Sequence, residues 1–464
     1  MEDILNFLQD LLITGPDPGK VVECATNDTC VAVHAVASSL LVFFVLLTGF
    51  AYTTVLERRL IAWLQQRVGP NRAGPQGLLQ PVADGVKLIF KEDVTPVHAD
   101  RVVYWVAPVI KVIPALIILA VVPLGGPLVI PWFDGKWYRV AQGLVDVNVG
   151  VLWITSVASI SVYGITMAGW ASSNKYAMLG SLRSAASMIS YELALGAALV
   201  VPAMIAGSLS VADIINSQTG NLIFNWNIFR NPLAGVILLI ALIAEINRAP
   251  FDLPEAEQEL VAGHMTEYSG MKFALFFMAE YINMIGISVI FSSMFLGGYH
   301  FILADKVPLL GPLWLTLKVI GLLSLMIWIR ATLPRVRYDK LMALGWKVLL
   351  PLSLVAVAWT GVTIVLVEEY NDTSIYTGAA VVLFILMAVG AVLLGRETPE
   401  AQVVMGGEEE IVDLTDRNAG VFILQLVGSL IAAPFLLFRY TVDIVSNLAA
   451  GLGIDTGEEK ATKS

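Results

Sequence analysis

The chain has 464 residues, of which 57% are hydrophobic and 14% are charged, and its mean hydropathy is +0.76. Soluble domains are about a quarter charged, so this composition excludes an ordinary soluble protein and indicates that a lipid bilayer is the solvent. The formal net charge of −10 says little about the membrane part, because much of it lies in acidic runs near the C-terminus.

Residues 1–33 form a segment that we expect on the outer side of the membrane. Residues 1–20 have no basic start, and Asp10 interrupts their apolar run, so we do not expect a cleaved signal sequence. Cys24 and Cys30 both precede the first span. On an oxidising outer side these thiols are able to form a disulfide, but the sequence favours that state no more than two free thiols.

Uncharged apolar runs long enough to cross about 30 Å of hydrocarbon recur along the chain, and they predict an all-α, polytopic transmembrane helical bundle of about nine spans. The fifth run is the weakest, because Arg230 and Glu245 stand close to its two ends. A tenth candidate, 418–438, carries no charge but follows an acidic stretch, so it either spans the membrane or lies flat on it. The predicted spans are 34–56, 102–123, 148–170, 188–208, 230–246, 273–296, 312–330, 347–367 and 375–395.

The distribution of Lys and Arg predicts that the N-terminus lies outside. With that orientation, most basic residues before the tail fall in the inside loops, as the positive-inside rule requires. The chain is then divided into an outside segment (1–33), a membrane domain (34–395) and an acidic C-terminal extension (396–464). We find no internal repeat, so the sequence does not support a transporter built from inverted repeats.

The first inside loop, 57–101, is too long for a simple connector. Two amphipathic stretches, 57–67 and 78–90, flank a turn-forming sequence at 69–77 that is rich in Gly and Pro. Amphipathic helices with basic polar faces lie at membrane surfaces. We therefore expect interfacial helices that dock a partner or wall a lipid-level entrance; the alternative is a solvated loop that rests on lipid.

The inside loop 246–272 carries a cluster of acidic residues. Asp252 and Glu255 have the spacing of a capping box at a helix start, and this structural role explains Glu255 well. It explains Glu257 and Glu259 less well, because only the first helical turn gains from negative charge. The acids beyond the first turn are therefore candidates for a functional role.

Several ionisable residues lie inside the predicted spans. A charge in the middle of a bilayer costs at least about 2.5–3.5 kcal/mol, so such groups usually face an internal polar path. For any one of them the alternative is a structural Glu–Lys pair between helices. Together they favour a hydrated ion path, and buried carboxyl groups suit proton loading near neutral pH. These residues are Lys111, Glu192, Glu280 and Lys318, with Glu245 at the edge of a span.

The sequence offers little that could hold a cofactor. Two Cys are fewer than an iron–sulfur cluster needs, and the four His show no metal-ligand spacing. No glycine-rich nucleotide motif is present, and no basic patch with interleaved aromatic residues suggests nucleic acid. We therefore expect no metal, no covalently bound cofactor and no nucleic acid partner for this chain.

Three motifs resemble those of one family of membrane proteins. The similarity covers about residues 30–395, and the family is the H subunit of the proton-pumping NADH–quinone oxidoreductase, called subunit 1 in mitochondrial complex I. The motifs are a first one from Glu57 to Lys87 that includes QRVGPNRAGP at 66–75, a second one, AEINRAPFDLPEAE, at 244–257, and a third one that joins GWASSNKY at 169–176 to SYE at 190–192.

The resemblance implies a subunit at the joint between the membrane arm and the hydrophilic arm of that complex, in a bacterial inner membrane. It implies quinone as the substrate, with flavin and iron–sulfur clusters held only by partner subunits. The inside loops would dock the quinone-site subunits, and small membrane subunits would pack laterally. By position, the implied carboxylate path is Glu192, Glu245, Glu255, Glu257, Glu259, Glu267 and Glu280, and the residues implied at the quinone entrance are Glu57, Arg59, Arg72, Arg248 and Asp252.

Two features depart from the pattern of the family. Some members of the family carry another acidic residue in the third span. The predicted third span of this chain, 148–170, contains none, and Ser159 is its nearest polar candidate. The tail beyond Arg396 lies outside the resemblance. Three alternatives to the quinone function remain at this point: a homologous membrane subunit of a hydrogenase-type complex without quinone, a solute transporter that uses Glu–Lys pairs, and a structural scaffold.

Overall fold

The computed structural model describes most of the chain before the tail. The chain divides into two compact units, 1–386 and 387–464, and of the second unit only the helical stretch up to Gly395 is described. The predicted tenth span at 418–438 lies outside the described residues, as does the segment 1–20. The described residues are 21–24, 27–131, 137–220, 225–252, 260–301, 304, 307–370 and 374–395.

Helices dominate the described part of the chain, and seven of them are long and apolar enough to cross a membrane. Two shorter apolar helices, Pro232–Glu245 and Ile375–Met387, bring the set to the nine positions predicted from the sequence. The prediction of an all-α, polytopic fold is thereby confirmed, whereas the orientation in the membrane stays a prediction. The α-helices are α1 Asp28–Leu64, α2 Gln80–Phe90, α3 Arg101–Ile117, α4 Gly150–Ala171, α5 Lys175–Ala206, α6 Val211–Asn216, α7 Asn227–Arg230, α8 Pro232–Glu245, α9 Gly270–Phe295, α10 Leu310–Thr332, α11 Tyr338–Ala343, α12 Leu350–Tyr370 and α13 Ser374–Gly395.

Short segments of other helical types extend or connect these helices. A 3-10 turn prolongs α3, and a π-helical segment joins α11 to α12 without a break. This continuity makes Tyr338–Tyr370 one apolar span. The segments are the 3-10 helices Pro75–Gly77, Ile118–Val121 and Gly263–Met265 and the π-helix Leu344–Leu349.

The first inside loop differs from its prediction in one half. The stretch 57–64 continues α1 and is not a separate interfacial helix. Neither Gly nor Pro stands between Ala51 and Leu64, so the helix propagates until the chain reverses at Gln66, whose φ is +53°. The second stretch does form its own helix, α2, which packs against α1 and α9 and leaves much of its apolar face exposed.

Helix α5 begins well before the predicted fourth span, 188–208. Its start is capped by Asn174, whose side chain accepts a hydrogen bond from the Tyr176 amide at 2.9 Å. It ends at Gly207, which adopts the left-handed conformation common after helix C-termini (φ +65°). This long helix packs against α4, α8 and α12, and it is therefore the centre of the bundle.

A small three-stranded sheet, which the sequence did not predict, lies beside the predicted outer end of α1. Its order is β1-β3-β2, with β1 parallel and β2 antiparallel to β3. Cys24 and Cys30 form a disulfide beside it and pack against Tyr138, whose hydroxyl oxygen accepts a hydrogen bond from the Asn27 amide at 3.0 Å. The sheet and the disulfide together fix the start of α1. The strands are β1 Val21–Glu23, β2 Leu128–Pro131 and β3 Trp137–Val140.

Two glycines bring backbones into direct contact around the central helices. A Cβ added to Gly164 of α4 would lie 2.9 Å from the Lys111 backbone nitrogen of α3. A Cβ added to Gly180 of α5 would lie 2.6 Å from the Cα atom of Gly263, in the inside loop. Real Cβ atoms do not approach other atoms this closely, so only Gly permits these two contacts.

Candidate functional site

A buried cluster of opposite charges surrounds Glu57, which is 5% exposed and lies near the end of α1. Its carboxylate accepts a hydrogen bond from Tyr281 of α9 at 2.5 Å. It also pairs with Arg330 at the end of α10 and with Arg248 at 3.5 Å. A carboxylate is stable away from water only when such partners offset its lost hydration. We call these four residues the Glu57 cluster.

Arg248 joins the Glu57 cluster from the loop after α8. Its guanidinium lies over the Tyr281 ring, 4.4 Å from the centroid. Burial alone lowers the pKa of Arg248, but the neighbouring Tyr281, Glu280 and Glu57 outweigh that effect and raise it above its ordinary value. Arg248 therefore remains charged while it faces two different carboxylates.

A small cavity opens beside the Glu57 cluster. It offers about 10 Å³ and is lined by Glu57, Arg248 and Arg330 together with apolar residues that include Met284 and Met326. A volume of this size holds about one water molecule. Arg248 keeps two guanidinium nitrogens, Nε and Nη2, buried without a hydrogen-bond partner in the described part of the chain. The cluster therefore retains unused hydrogen-bond donors.

Three other residues predicted at the entrance take separate positions. Asp252 is buried and pairs with Arg335 at 3.1 Å. Arg59 donates a hydrogen bond to the carbonyl oxygen of Gln76 and so ties α1 to the turn before α2. Arg72 is exposed in that turn. The structure thus brings Glu57 and Arg248 together, and it leaves Asp252, Arg59 and Arg72 outside their cluster.

A row of ionisable groups runs through the inner part of the bundle. Glu245, at the end of α8, interacts electrostatically with Glu192 of α5 and with Lys111 of α3. Lys111 in turn interacts with Glu280 of α9, and Glu280 interacts with Arg248. The described groups therefore form one continuous electrostatic sequence, which we call the charged row: Glu192, Glu245, Lys111, Glu280, Arg248 and Glu57.

Ser159 supports the far end of the charged row. Its hydroxyl donates a hydrogen bond to the Glu192 carboxylate across the α4–α5 contact. A cavity of about 10 Å³ lies nearby, lined among others by Ser161, Met188, Glu245 and Asn283. It has room for about one water molecule. Ser159, the polar candidate noted in the sequence, therefore contacts Glu192, a member of the predicted carboxylate path.

Glu267 lies apart from the charged row. Its side chain accepts a hydrogen bond from Asn174 at 2.7 Å, and its backbone carbonyl accepts one from Tyr104 at 2.6 Å. It lines an open pocket of about 470 Å³ that also includes His98 and Lys175. Its described hydrogen bonds are thus with Asn174 and Tyr104, and not with Glu245 or Glu280.

Three predicted path residues, Glu255, Glu257 and Glu259, lie in the segment 253–259, outside the described residues. Their predicted roles, and the capping box that pairs Asp252 with Glu255, stay predictions. Among the residues that are described, no group of three or more His, Cys, Asp or Glu side chains is close enough to hold a metal ion.

Lys318, one of the ionisable residues predicted inside a span, caps a helix end. Its ammonium donates hydrogen bonds to the backbone carbonyls of Leu296, Gly298 and His300 at 2.6, 2.7 and 3.0 Å. These carbonyls follow the C-terminus of α9, where the helix dipole favours positive charge. The partners of Lys318 are thus backbone carbonyls and the Trp226 ring, 4.5 Å away, whereas those of Lys111 are carboxylates.

Tyr281 and Arg330 belong to the Glu57 cluster, although no sequence pattern marked them as site residues. Tyr281 directly follows Glu280, and Arg330 ends an apolar run, where it counted only toward orientation. The available signals were a basic residue at the inner end of one span and a phenol inside another. Their convergence on Glu57 depends on how α1, α9 and α10 pack, which no local pattern contains.

Comparison with known proteins identifies the family. A family model described as NADH dehydrogenase matches residues 37–361. One H subunit of the NADH-quinone oxidoreductase of Geobacter metallireducens is 49% identical over 332 residues, which cover 71% of this chain and 96% of the relative. The corresponding H subunit of Thermomicrobium roseum is 50% identical over 323 residues (68% of this chain, 92% of the relative).

A third relative, the H subunit of the same oxidoreductase in Paraburkholderia phymatum, is 47% identical over 338 residues, covering 71% of this chain and 91% of the relative. These matches confirm the resemblance that the three sequence motifs indicated. The chain belongs to the NADH dehydrogenase family that includes the H subunits of NADH-quinone oxidoreductases.

Proposed function

We propose that the chain forms the lipid-level quinone entrance of an NADH–quinone oxidoreductase and couples quinone reduction to proton translocation. Family membership supports the coarser part, a membrane subunit of this oxidoreductase complex. The finer part rests on one observation: the charged row is continuous from the Glu57 cluster to Glu192. Because each member interacts electrostatically with the next, a change of charge at one end shifts the protonation equilibria along the row.

The entrance is proposed between α1, α2 and α10. The Glu57 cluster lies near the inner ends of α1 and α10, and α2 exposes Val82, Val86 and Phe90 as a surface suited to lipid. A quinone is an apolar molecule with two carbonyl oxygens, so it needs an apolar approach and a few hydrogen-bond donors. Arg248 and Arg330 are the donors available there.

The proposed mechanism begins with a change of charge in the quinone chamber. Quinone becomes quinol by taking up two electrons and two protons, and we expect the electrons to come from iron–sulfur clusters in partner subunits. The uptake of protons alters the occupancy of nearby acids, for which Glu257 and Glu259 are the predicted first members. Glu280, Glu245 and Glu192 then adjust in turn, because each lies in the field of the next.

Partners and location follow from the same proposal. The inside loops would contact the hydrophilic subunits, the apolar outer faces of the spans would contact lipid and small membrane subunits, and the complex would lie in a bacterial inner membrane. Quinone would be a substrate of the complex, and this chain would hold no redox centre of its own. The chains that co-purify with this one test the proposed set of partners.

The central experiment neutralises two members of the charged row in the whole complex. Glu280→Gln and Glu192→Gln are expected to leave assembly and NADH oxidation by a soluble acceptor unchanged, while proton pumping driven by quinone reduction falls. Asp339→Asn is the matched control, because Asp339 is an exposed acid paired only with Arg337 in the described structure. Normal acidification in both row variants would contradict the proposed function.

A further inference from the structure

Lys111 is a buried cation inside a span. It lies in the middle of α3, between Pro108 and Pro114, and it is 3% exposed. Burial of an ammonium group at this depth costs free energy unless groups of opposite charge or hydrogen-bond acceptors lie nearby. The resemblance to known subunits gave no role to Lys111, because its motifs do not include this position. Its neighbours therefore have to explain it.

The surroundings of Lys111 are shaped to admit it. Gly164 of α4 leaves no side chain against the Lys111 backbone, so the two helices meet closely at this level. Carboxylates reach the same region from two other helices: Glu245 from the end of α8 and Glu280 from α9. Lys111 thus interacts electrostatically with two acids from different helices, which belong to different parts of the charged row.

His264 is a second buried polar group that interacts electrostatically with Lys111. It is 2% exposed, and both of its ring nitrogens lie buried without a hydrogen-bond partner in the described part of the chain. Its ring packs edge-on against Phe276, with 5.5 Å between centroids. Burial, and after it the charge of Lys111, lower the pKa of His264 to about 3, so the imidazole is neutral.

A neutral imidazole matches what a buried ammonium needs. It carries one nitrogen that accepts a hydrogen bond and one that donates, whereas an ammonium only donates. Buried polar atoms are almost always satisfied by protein or water, and no direct hydrogen bond joins the two groups in the described structure, so they are complementary through a water molecule. An unsatisfied nitrogen of His264 is therefore suited to accept a hydrogen bond from the Lys111 side.

We propose that Lys111, oriented by His264, is a functional cation of the proton path that links the Glu245 end of the charged row to the Glu280 end. This inference rests on the proposed function and adds to it a residue that acts by charge. The proposal requires Lys111 to be positive, one of the two carboxyl groups to be ionised and the other to hold a proton. A proton that leaves the Glu245 carboxyl and arrives at the Glu280 carboxylate then changes no net charge in the region.

The test compares Lys111→Met and Lys111→Arg in the complete complex, reconstituted in sealed vesicles. The readouts are the amount of assembled complex, NADH oxidation by a soluble acceptor, and the number of protons translocated per electron. Lys111→Met is expected to assemble and to lose most of the proton translocation per electron. Lys111→Arg keeps the positive charge, so it is expected to restore most of that ratio.

Lys318→Met is the matched control for the loss of a lysine inside a span. Lys318 interacts with backbone carbonyls and not with the charged row, so its loss should reduce the amount of assembled complex. The complex that does assemble should translocate a normal number of protons per electron. An equal fall of this ratio in both Met variants would overturn the inference, because it would show a general effect of removing a lysine from a span.

His264→Phe provides a second reading that does not depend on how well Lys111→Met assembles. It keeps the Lys111 charge and the ring packing but removes the acceptor, and it is expected to lower the proton-to-electron ratio less than Lys111→Met does. A normal ratio in His264→Phe would overturn the role of His264. A normal ratio in Lys111→Met with a lowered one in Glu280→Gln would overturn only the role of Lys111, whereas normal ratios in both would overturn the proposed function itself.

Discussion

The buried polar side chains at the two ends of the helical bundle differ in the partners that stabilise them. Toward the predicted outer side, Gln218 donates to the carbonyls of Ile214 and Ser293 and accepts from the amides of Asn227 and Gly297, so both ends of its side chain are used. Asn231 likewise donates to Ala356 and Thr360 and accepts from Ala234. These are neutral side chains whose partners are mostly backbone groups. The ammonium of Lys318, at the same end, likewise donates to three backbone carbonyls.

Toward the predicted inner side, the Glu57 cluster buries charged groups that have several partners each. Glu57 faces two arginines and a tyrosine, and Arg248 faces two carboxylates. A neutral amide with a full set of hydrogen bonds has one favourable arrangement. A group that interacts with several charges has more than one favourable arrangement. The inner end is therefore able to redistribute charge, while the outer end holds the helices in place.

The largest expected effect tests the inner end. Glu57→Gln leaves Arg248 and Arg330 without their shared carboxylate, and breaking one side of a buried ion pair costs about 3–5 kcal/mol. We expect less assembled complex and little quinone reduction, measured by native electrophoresis and by activity per complex. Glu23→Gln, in an exposed pair with Arg139, is the control and should behave as wild type. Equal behaviour of the two variants would contradict the comparison.

A smaller effect tests the outer end. Lys318→Met removes three hydrogen bonds from an ammonium, and a hydrogen bond to a charged group contributes about 1.5–3 kcal/mol. We expect a lower unfolding temperature of the purified complex with unchanged quinone reduction per complex. Thermal unfolding followed by fluorescence measures the first quantity, and a steady-state assay measures the second. Unchanged unfolding with lost activity would reverse the roles assigned to the two ends.

Acid stability gives a third test, at the inner end. The pKa of His264 falls from 6.5 to about 3 in the folded chain, so the unfolded chain binds one more proton between these values. Stability is therefore lost as the pH falls below 6.5, by about 1.4 kcal/mol for each pH unit. His264→Phe should show a flatter decline in unfolding temperature between about pH 7 and pH 5. Parallel declines in variant and wild type would show that His264 does not titrate this way.

The smallest effect concerns the inner surface. Partial burial raises the pKa of Asp84, but Lys87 and Arg58 outweigh it and hold the pKa below its ordinary value of 3.8. The stabilisation is thus present above that value and is lost as the pH falls through the lower pKa of the folded state. Since both partners are largely exposed, Asp84→Asn should cost at most about 1 kcal/mol near neutral pH. A loss of proton pumping in this variant would extend the charged row to the surface.

The sequence predicted the membrane spans well because each needs only one local property, an apolar run of sufficient length. It did not predict that α1 continues through Glu57. The residues change there from apolar to amphipathic, which suggests the end of a helix, but the helix continues to Leu64. The strands of the outer sheet are three or four residues long and pair over large separations, so no local pattern reveals them.

The candidate site was predictable in its charges but not in its contacts. Glu57 and Arg248 come from motifs that identify the family, and the structure brings them together. Arg330 and Tyr281 complete the same cluster, yet they come from other helices, so only tertiary packing reveals them. Glu267 shows the reverse case, because it carries the expected carboxylate while its described hydrogen bonds are not with the charged row.

The contact between Gly180 and Gly263 has a mechanical consequence. Where two backbones touch, no flexible side chain can absorb a displacement, so a shift of the loop at Gly263 pushes on α5 directly. Helix α5 is continuous from there to Glu192, roughly 18 Å away at 1.5 Å per residue. A partner that binds this loop would thus displace the Glu192 carboxylate through the continuous helix α5. Even a methyl group at Gly180 would push the loop and the helix apart.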